Sequence, residues 1–168
     1  SDLLSSRAFL TPGREALLEL ETGRRFTYGE LNERANRAAN FLKQEGVQKG
    51  DRVSILAHNS VVYVDLLYGL AKIGTIFTPL NWRLVPAELA YIVNDCQPQI
   101  LLCGPEFNDV LAEMRADIDV ATIVSLRGAA IEAAIDYEEG LASASPAEPQ
   151  RPIDLDGETP HCILYTSG

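Results

Sequence analysis

The sequence predicts an α/β fold: a mostly parallel sheet with helices on both faces. Three observations carry this. Four short apolar runs, RVSILA (52–57), TIFTPL (75–80), QILLCG (99–104) and VATIVSL (120–126), are spaced along the chain. Each is continuously apolar rather than alternating, as strands buried on both faces are. Between them lie segments with helical periodicity or helix-start residues, and strands that alternate with helices point to βαβ units.

Taken in order, ALLEL (16–20) and RFTY (25–28) flank ETGR and read as a β-hairpin around a glycine turn. A helix follows. Thr27 and Glu30 have capping-box spacing, and Phe26 and Leu31 are placed for a hydrophobic staple. Leu31, Ala35, Ala38 and Leu42 recur on one helical face, with Asn32, Glu33, Arg37 and Asn40 elsewhere. Gly46 ends that helix, with Lys43 in its last turn. After QKGD and the strand at 52–57, Asn59 or Ser60 caps a helix running to about residue 73. The strand at 75–80 leads to Pro86, which opens the helix PAELAYIVNDC as its first residue. A strand at 99–104, a helix at 105–117 and a strand at 120–126 complete the regular pattern. Residues 127–160 are expected to form an irregular connector. YEEGLASAS supplies one or two helical turns, and SPAEPQRPIDLDGETP holds four prolines. HCILY (161–165) reads as a short buried strand.

At 168 residues the chain is long enough for one domain with its own core. Net charge is −10, from 14 basic and 24 acidic residues, which argues against nucleic acid or anionic membrane as a partner. Cys96, Cys103 and Cys162 sit among apolar residues without metal spacing, so buried free thiols are expected and no metal site is predicted. The first residues lack a signal-peptide pattern. Residues 61–80 are long and apolar enough to raise the question of membrane insertion. Asp65 and Lys72 would each cost about 2.5–3.5 kcal/mol near a membrane-helix centre, and Gly74 and Pro79 interrupt the run. A buried helix feeding a buried strand is the expectation, with no transmembrane segment and a cytoplasmic location.

TYGELNERANRAANFL, GDRVSILAHNS, GLAKIGTIFTPLNWRL, ELAYIVNDCQP and LYTSG, in this order and spacing, resemble the N-terminal region of the adenylate-forming enzymes. That superfamily includes acyl- and aryl-CoA synthetases, luciferases and peptide-synthetase adenylation domains. The NWRLVPAEL block is most similar to fatty-acid and aryl-acid CoA ligases. The resemblance implies a partial N-terminal domain over 1–168 that breaks off inside a phosphate loop of the pattern Y-T-S-G-T-T-G-x-P-K. It also implies an ATP-dependent ligase that joins a carboxylic acid to coenzyme A through an acyl-adenylate, with Mg2+ as cofactor. An amino-acid adenylation domain, or a non-catalytic module used for binding or dimerisation, are the alternatives.

The site residues implied are Thr166, Ser167 and Gly168 for the ATP phosphates and Arg83 for a CoA phosphate. No catalytic residue is expected within this stretch. Hydroxyls and amides in a tight turn make an anion-binding concavity, and a guanidinium fork matches phosphate. On composition alone, Thr-Ser-Gly after a strand is an ordinary turn, and an arginine beside Trp82 is equally a surface residue. His58, Asn59 and Ser60 follow a strand end, where α/β sheets place ligands, but helix capping explains Asn59 or Ser60 without a ligand, and the three are not counted among the site residues. Glu138 and Glu139 read as solvated surface. An unpaired sheet edge would allow homo-oligomers.

Overall fold

The computed structural model describes residues 2–128, 131–132 and 134–166. The elements in chain order are α1 (Leu3–Leu10), β1 (Glu15–Leu18), β2 (Arg25–Thr27), α2 (Tyr28–Gln44), β3 (Arg52–Leu56), α3 (Val61–Ile73), β4 (Ile76–Pro79), α4 (Pro86–Cys96), β5 (Ile100–Cys103), a 3₁₀ turn (Pro105–Phe107), α5 (Asn108–Met114), β6 (Thr122–Ser125), β7 (Ile135–Asp136) and α6 (Tyr137–Ser143). β1 and β2 form the expected antiparallel hairpin. The other five strands form one sheet in the order β4-β3-β5-β6-β7, parallel at every pairing.

The continuously apolar strands divide their side chains by parity. Val53, Ile55, Ile100, Leu102 and Val124 point to one face, where they pack with Leu42, Leu66, Leu70 and Tyr137 of α2, α3 and α6. Leu56, Leu101, Cys103 and Ile123 point to the other and meet Leu89 and Val93 of α4 and Leu111 and Met114 of α5. The hairpin closes a smaller cluster of Leu4, Phe26, Leu31, Ala35 and Val61.

α2 begins as its sequence dictates. The Glu30 amide donates to the Thr27 hydroxyl at 3.2 Å, and the Thr27 amide donates to Glu30 Oε2 at 2.8 Å. Its polar positions are not merely solvated. Asn36 Nδ2 donates to the Pro146 carbonyl at 3.0 Å, Arg37 Nη1 to Ala144 at 2.7 Å, and Asn40 Nδ2 to Ser145 and Ala147 at 2.8 and 2.9 Å. These bonds strap residues 144–147 across the helix.

Two charges lie inside. The Lys72 ammonium donates to Asp2 (2.9 Å), Ser5 (2.6 Å), Asn32 (3.1 Å) and Glu148 (2.7 Å), tying α1, α2, α3 and the connector together. Asp65 is fully buried. Arg34 grips it through Nε at 3.1 Å to each oxygen and Nη2 at 2.7 Å, and the Tyr137 hydroxyl donates to it at 3.2 Å. Burial pushes the Asp65 carboxyl up to about 6 while the Arg34 guanidinium beside it pulls the other way.

Several expectations change. α1 was not anticipated; Asp2 caps it by accepting from the Ser5 amide at 2.8 Å. The helix expected over 105–117 is a 3₁₀ turn followed by α5, ending at Met114. Within residues 127–160 lie β7 and α6, and the described residues before Ile135 and from Ala144 onward lack helix or strand. β7 is two residues long and is recruited by pairing with Val124 and Ser125. Glu138 is not free surface: it accepts from Arg34 Nη2 at 3.1 Å. Ser60 holds the N-cap position of α3 without a side-chain cap bond, and the Val61 amide donates instead to Glu19 Oε1 at 3.2 Å.

Residues 161–165 are not a buried strand. Cys162 bridges Phe77 alone, through Phe77 N to the His161 carbonyl and Ile163 N to the Phe77 carbonyl, each at 2.9 Å. This segment lies outside β4, so it is paired along one edge only, and Cys162 and Leu164 are exposed. Of the three thiols, Cys96 and Cys103 are buried as expected. No helix among the described residues is long and apolar enough to cross a membrane.

Candidate functional site

The strand order reverses once. From β3 the chain crosses to β4 on one side, then returns past β3 to β5 on the other. The crevice beyond the carboxyl ends of β3 and β5 is therefore the topological switch point, where open α/β sheets bind ligands. A cleft of about 190 Å³ opens there, between Ala57–Ser60 after β3, Gly104–Glu106 after β5, Glu19 and Arg24 of the hairpin, and Arg127. Glu19 already occupies the amino end of α3. Its bond from the Thr22 hydroxyl, with the Val61 amide and the Arg24 and Arg127 charges, holds its carboxyl below the usual value. A carboxylate at this position satisfies the donors that an anion would otherwise use.

Beside the cleft is a cluster with no continuous sequence. His58, Trp82, Glu106 and Phe107 stand two to four residues past the ends of β3, β4 and β5, and the parallel sheet brings those ends together. The His58 amide donates to Glu106 Oε1 at 3.1 Å, and His58 Nδ1 lies 3.2 Å from the same oxygen. The imidazole is edge-on to Trp82 (centroids 4.7 Å, 84°) and to Phe107 (5.1 Å, 76°). Gly104 permits this arrangement, because a Cβ there would stand 2.9 Å from Glu106 Oε2. The Arg83 guanidinium lies over the Trp82 ring, 4.1 Å from its centroid, a cation–π geometry.

Arg83 is exposed, and among the described residues its side chain has no hydrogen bond or ion pair, so its fork of donors faces outward. Thr166 is exposed and follows Tyr165, whose hydroxyl donates to Asp95 Oδ2 at 2.5 Å. Ser167 and Gly168 lie outside the described residues. No hydrogen bond joins Thr166 to Arg83. Sequence reasoning noted His58 past a strand end but left it out of the site, and passed over Glu106 and Phe107. The available signal was their shared position just past a strand end. Among the described residues no group of His, Cys, Asp and Glu is placed to hold a metal ion.

The model of one family, described as AMP-binding enzyme, matches residues 4–168. The chain is 36% identical over 167 residues to a long-chain-fatty-acid–CoA ligase of Mycobacterium tuberculosis, covering 99% of this chain and 32% of that protein. It is 38% identical over 146 residues to a fatty acid–[acyl-carrier-protein] ligase of Streptomyces coeruleorubidus, covering 87% and 26%. Among solved structures, a Mycobacterium tuberculosis fatty acyl CoA synthetase superposes with a TM-score of 0.85 at 33% identity, over 98% of this chain and 32% of that one. The chain thus spans between about a quarter and a third of the length of these relatives.

Proposed function

The chain belongs to the AMP-binding enzyme family, and from that membership we propose that it forms the N-terminal part of an ATP-dependent carboxylic acid–CoA ligase. The family match over 4–168, joined to relatives named as acid ligases, carries this reading. In the proposed reaction a carboxylate attacks the α-phosphate of ATP, releasing pyrophosphate and leaving an acyl-adenylate. The CoA thiol then attacks the acyl carbon and AMP departs. The protein's task is to position the reactants and stabilise charge on phosphoryl oxygens. Mg2+, when bound with ATP, would neutralise phosphate charge.

In this reading Thr166, Ser167 and Gly168 contribute hydroxyls and amides to the ATP phosphates, and Arg83 takes a phosphate of CoA. The exposed guanidinium, stacked on Trp82 with its donors free, suits that second role. A cytoplasmic location, and self-association along the open edge at residues 162–164, belong to the same reading.

The protein that carries this chain, expressed from its full reading frame, is expected to catalyse ATP–pyrophosphate exchange dependent on a carboxylic acid, and to release AMP when CoA is added. A folded protein with no exchange across a broad panel of aliphatic, aromatic and amino acids overturns the reading. Arg83→Ala is expected to raise the KM for CoA on the order of tenfold or more, with a much smaller change for ATP. This follows because losing a charged hydrogen-bond partner costs roughly 1.5–3 kcal/mol. An unchanged CoA KM returns Arg83 to the ordinary surface.

A further inference from the structure

We propose that His58, held by Glu106, is a positioning residue for CoA: it fixes the Trp82 indole on which the Arg83 guanidinium lies. The inference rests on the CoA-ligase reading and deepens it. A lone arginine on a surface loop samples many rotamers, and ordering it on binding costs affinity. Here its resting place is built. Trp82 is partly exposed, with the Arg83 guanidinium 4.1 Å from its ring centroid and the His58 and Phe107 rings packed at 4.7 and 6.3 Å. Phe107 is buried and supplies the floor.

His58 stands between that aromatic group and the switch-point cleft, which it also lines. Glu106 Oε1 accepts from the His58 amide at 3.1 Å and lies 3.2 Å from Nδ1, so this carboxylate fixes the backbone from which the ring projects. The chain of support runs from Glu106 through His58 and Trp82 to Arg83, joining the ends of three neighbouring strands to one phosphate-binding group.

The test is steady-state kinetics on the full-length protein. His58→Ala is expected to raise the KM for CoA about five- to tenfold while kcat and the KM for ATP stay within twofold. His58→Phe keeps a ring against Trp82 and Phe107, and its KM for CoA is expected within about twofold of the unmodified protein. The double variant His58→Ala/Arg83→Ala is expected to have no higher CoA KM than Arg83→Ala alone, because His58 acts through Arg83. An unmoved CoA KM in His58→Ala, an equal rise in the ATP KM, a His58→Phe variant as impaired as His58→Ala, or additive effects in the double variant would each overturn the proposal. If the unmodified protein exchanges ATP and pyrophosphate, such a result fells this inference alone. If it shows no exchange with any acid, the ligase reading falls and takes this inference with it.

Discussion

Arg34→Ala is expected to destabilise the fold by about 3–5 kcal/mol at neutral pH, the scale for removing one partner of a buried ion pair. Asp65 is fully buried on α3, and the Arg34 guanidinium, itself largely enclosed, is its cationic partner. Arg34 also reaches Glu138 through Nη1 at 3.3 Å and Nη2 at 3.1 Å, so its loss unties α6 from α2 as well. Chemical denaturation at pH 7 measures the effect, and a loss below about 1 kcal/mol would contradict the account.

Two further arms test its cause. Burial already raises the Asp65 carboxyl above its unfolded value, and Arg34 is what opposes the rise. Without Arg34 the folded value climbs further. A carboxyl raised on folding contributes stability at pH below its unfolded value, and that contribution is lost as pH rises through its folded value. The variant is therefore expected to recover part of its deficit between pH 8 and pH 5. Replacing the pair by Arg34→Met/Asp65→Leu removes both charges and is expected to restore most of the stability.

Phe41→Ala is expected to cost about 3–5 kcal/mol, the range for emptying a buried aromatic site. Phe41 is enclosed where α2 meets α6. Its ring stands edge-on to Tyr137 with centroids 6.3 Å apart. It also occupies the space over Gly140, where a Cβ would come within 2.6 Å of the ring. Gly140→Ala should therefore be harmful in the native background and much less so beside Phe41→Ala, where the ring is gone. Urea midpoints of the two single variants and the double variant measure this coupling. Additive losses would mean that the two positions do not share one contact.

The sequence by itself determined the elements whose causes are local. The capping box of Thr27 and Glu30, Pro86 at the start of α4, the glycine turn of the hairpin and the four unbroken apolar runs all act within a few residues. They suffice for the α/β class and for most element positions. The family blocks likewise lie in continuous stretches. The tertiary structure decided what depends on residues distant in the chain. Strand order is one such matter, because any of several parallel orders buries the same apolar runs, and it is the adjacency β4-β3-β5 that puts the switch point at His58 and Glu106. Buried charge is another. Asp65 and Lys72 counted in sequence only as costs against membrane insertion, yet each is stabilised inside a folded protein by partners dozens of residues away. β7 and the bridge at Cys162 exist only because a neighbouring strand offers its edge, since so few residues have no strand propensity strong enough to act alone. The cluster of His58, Trp82, Glu106 and Phe107 belongs to the same class. Contacts between rings need the strand ends side by side, and no spacing in the chain encodes that adjacency.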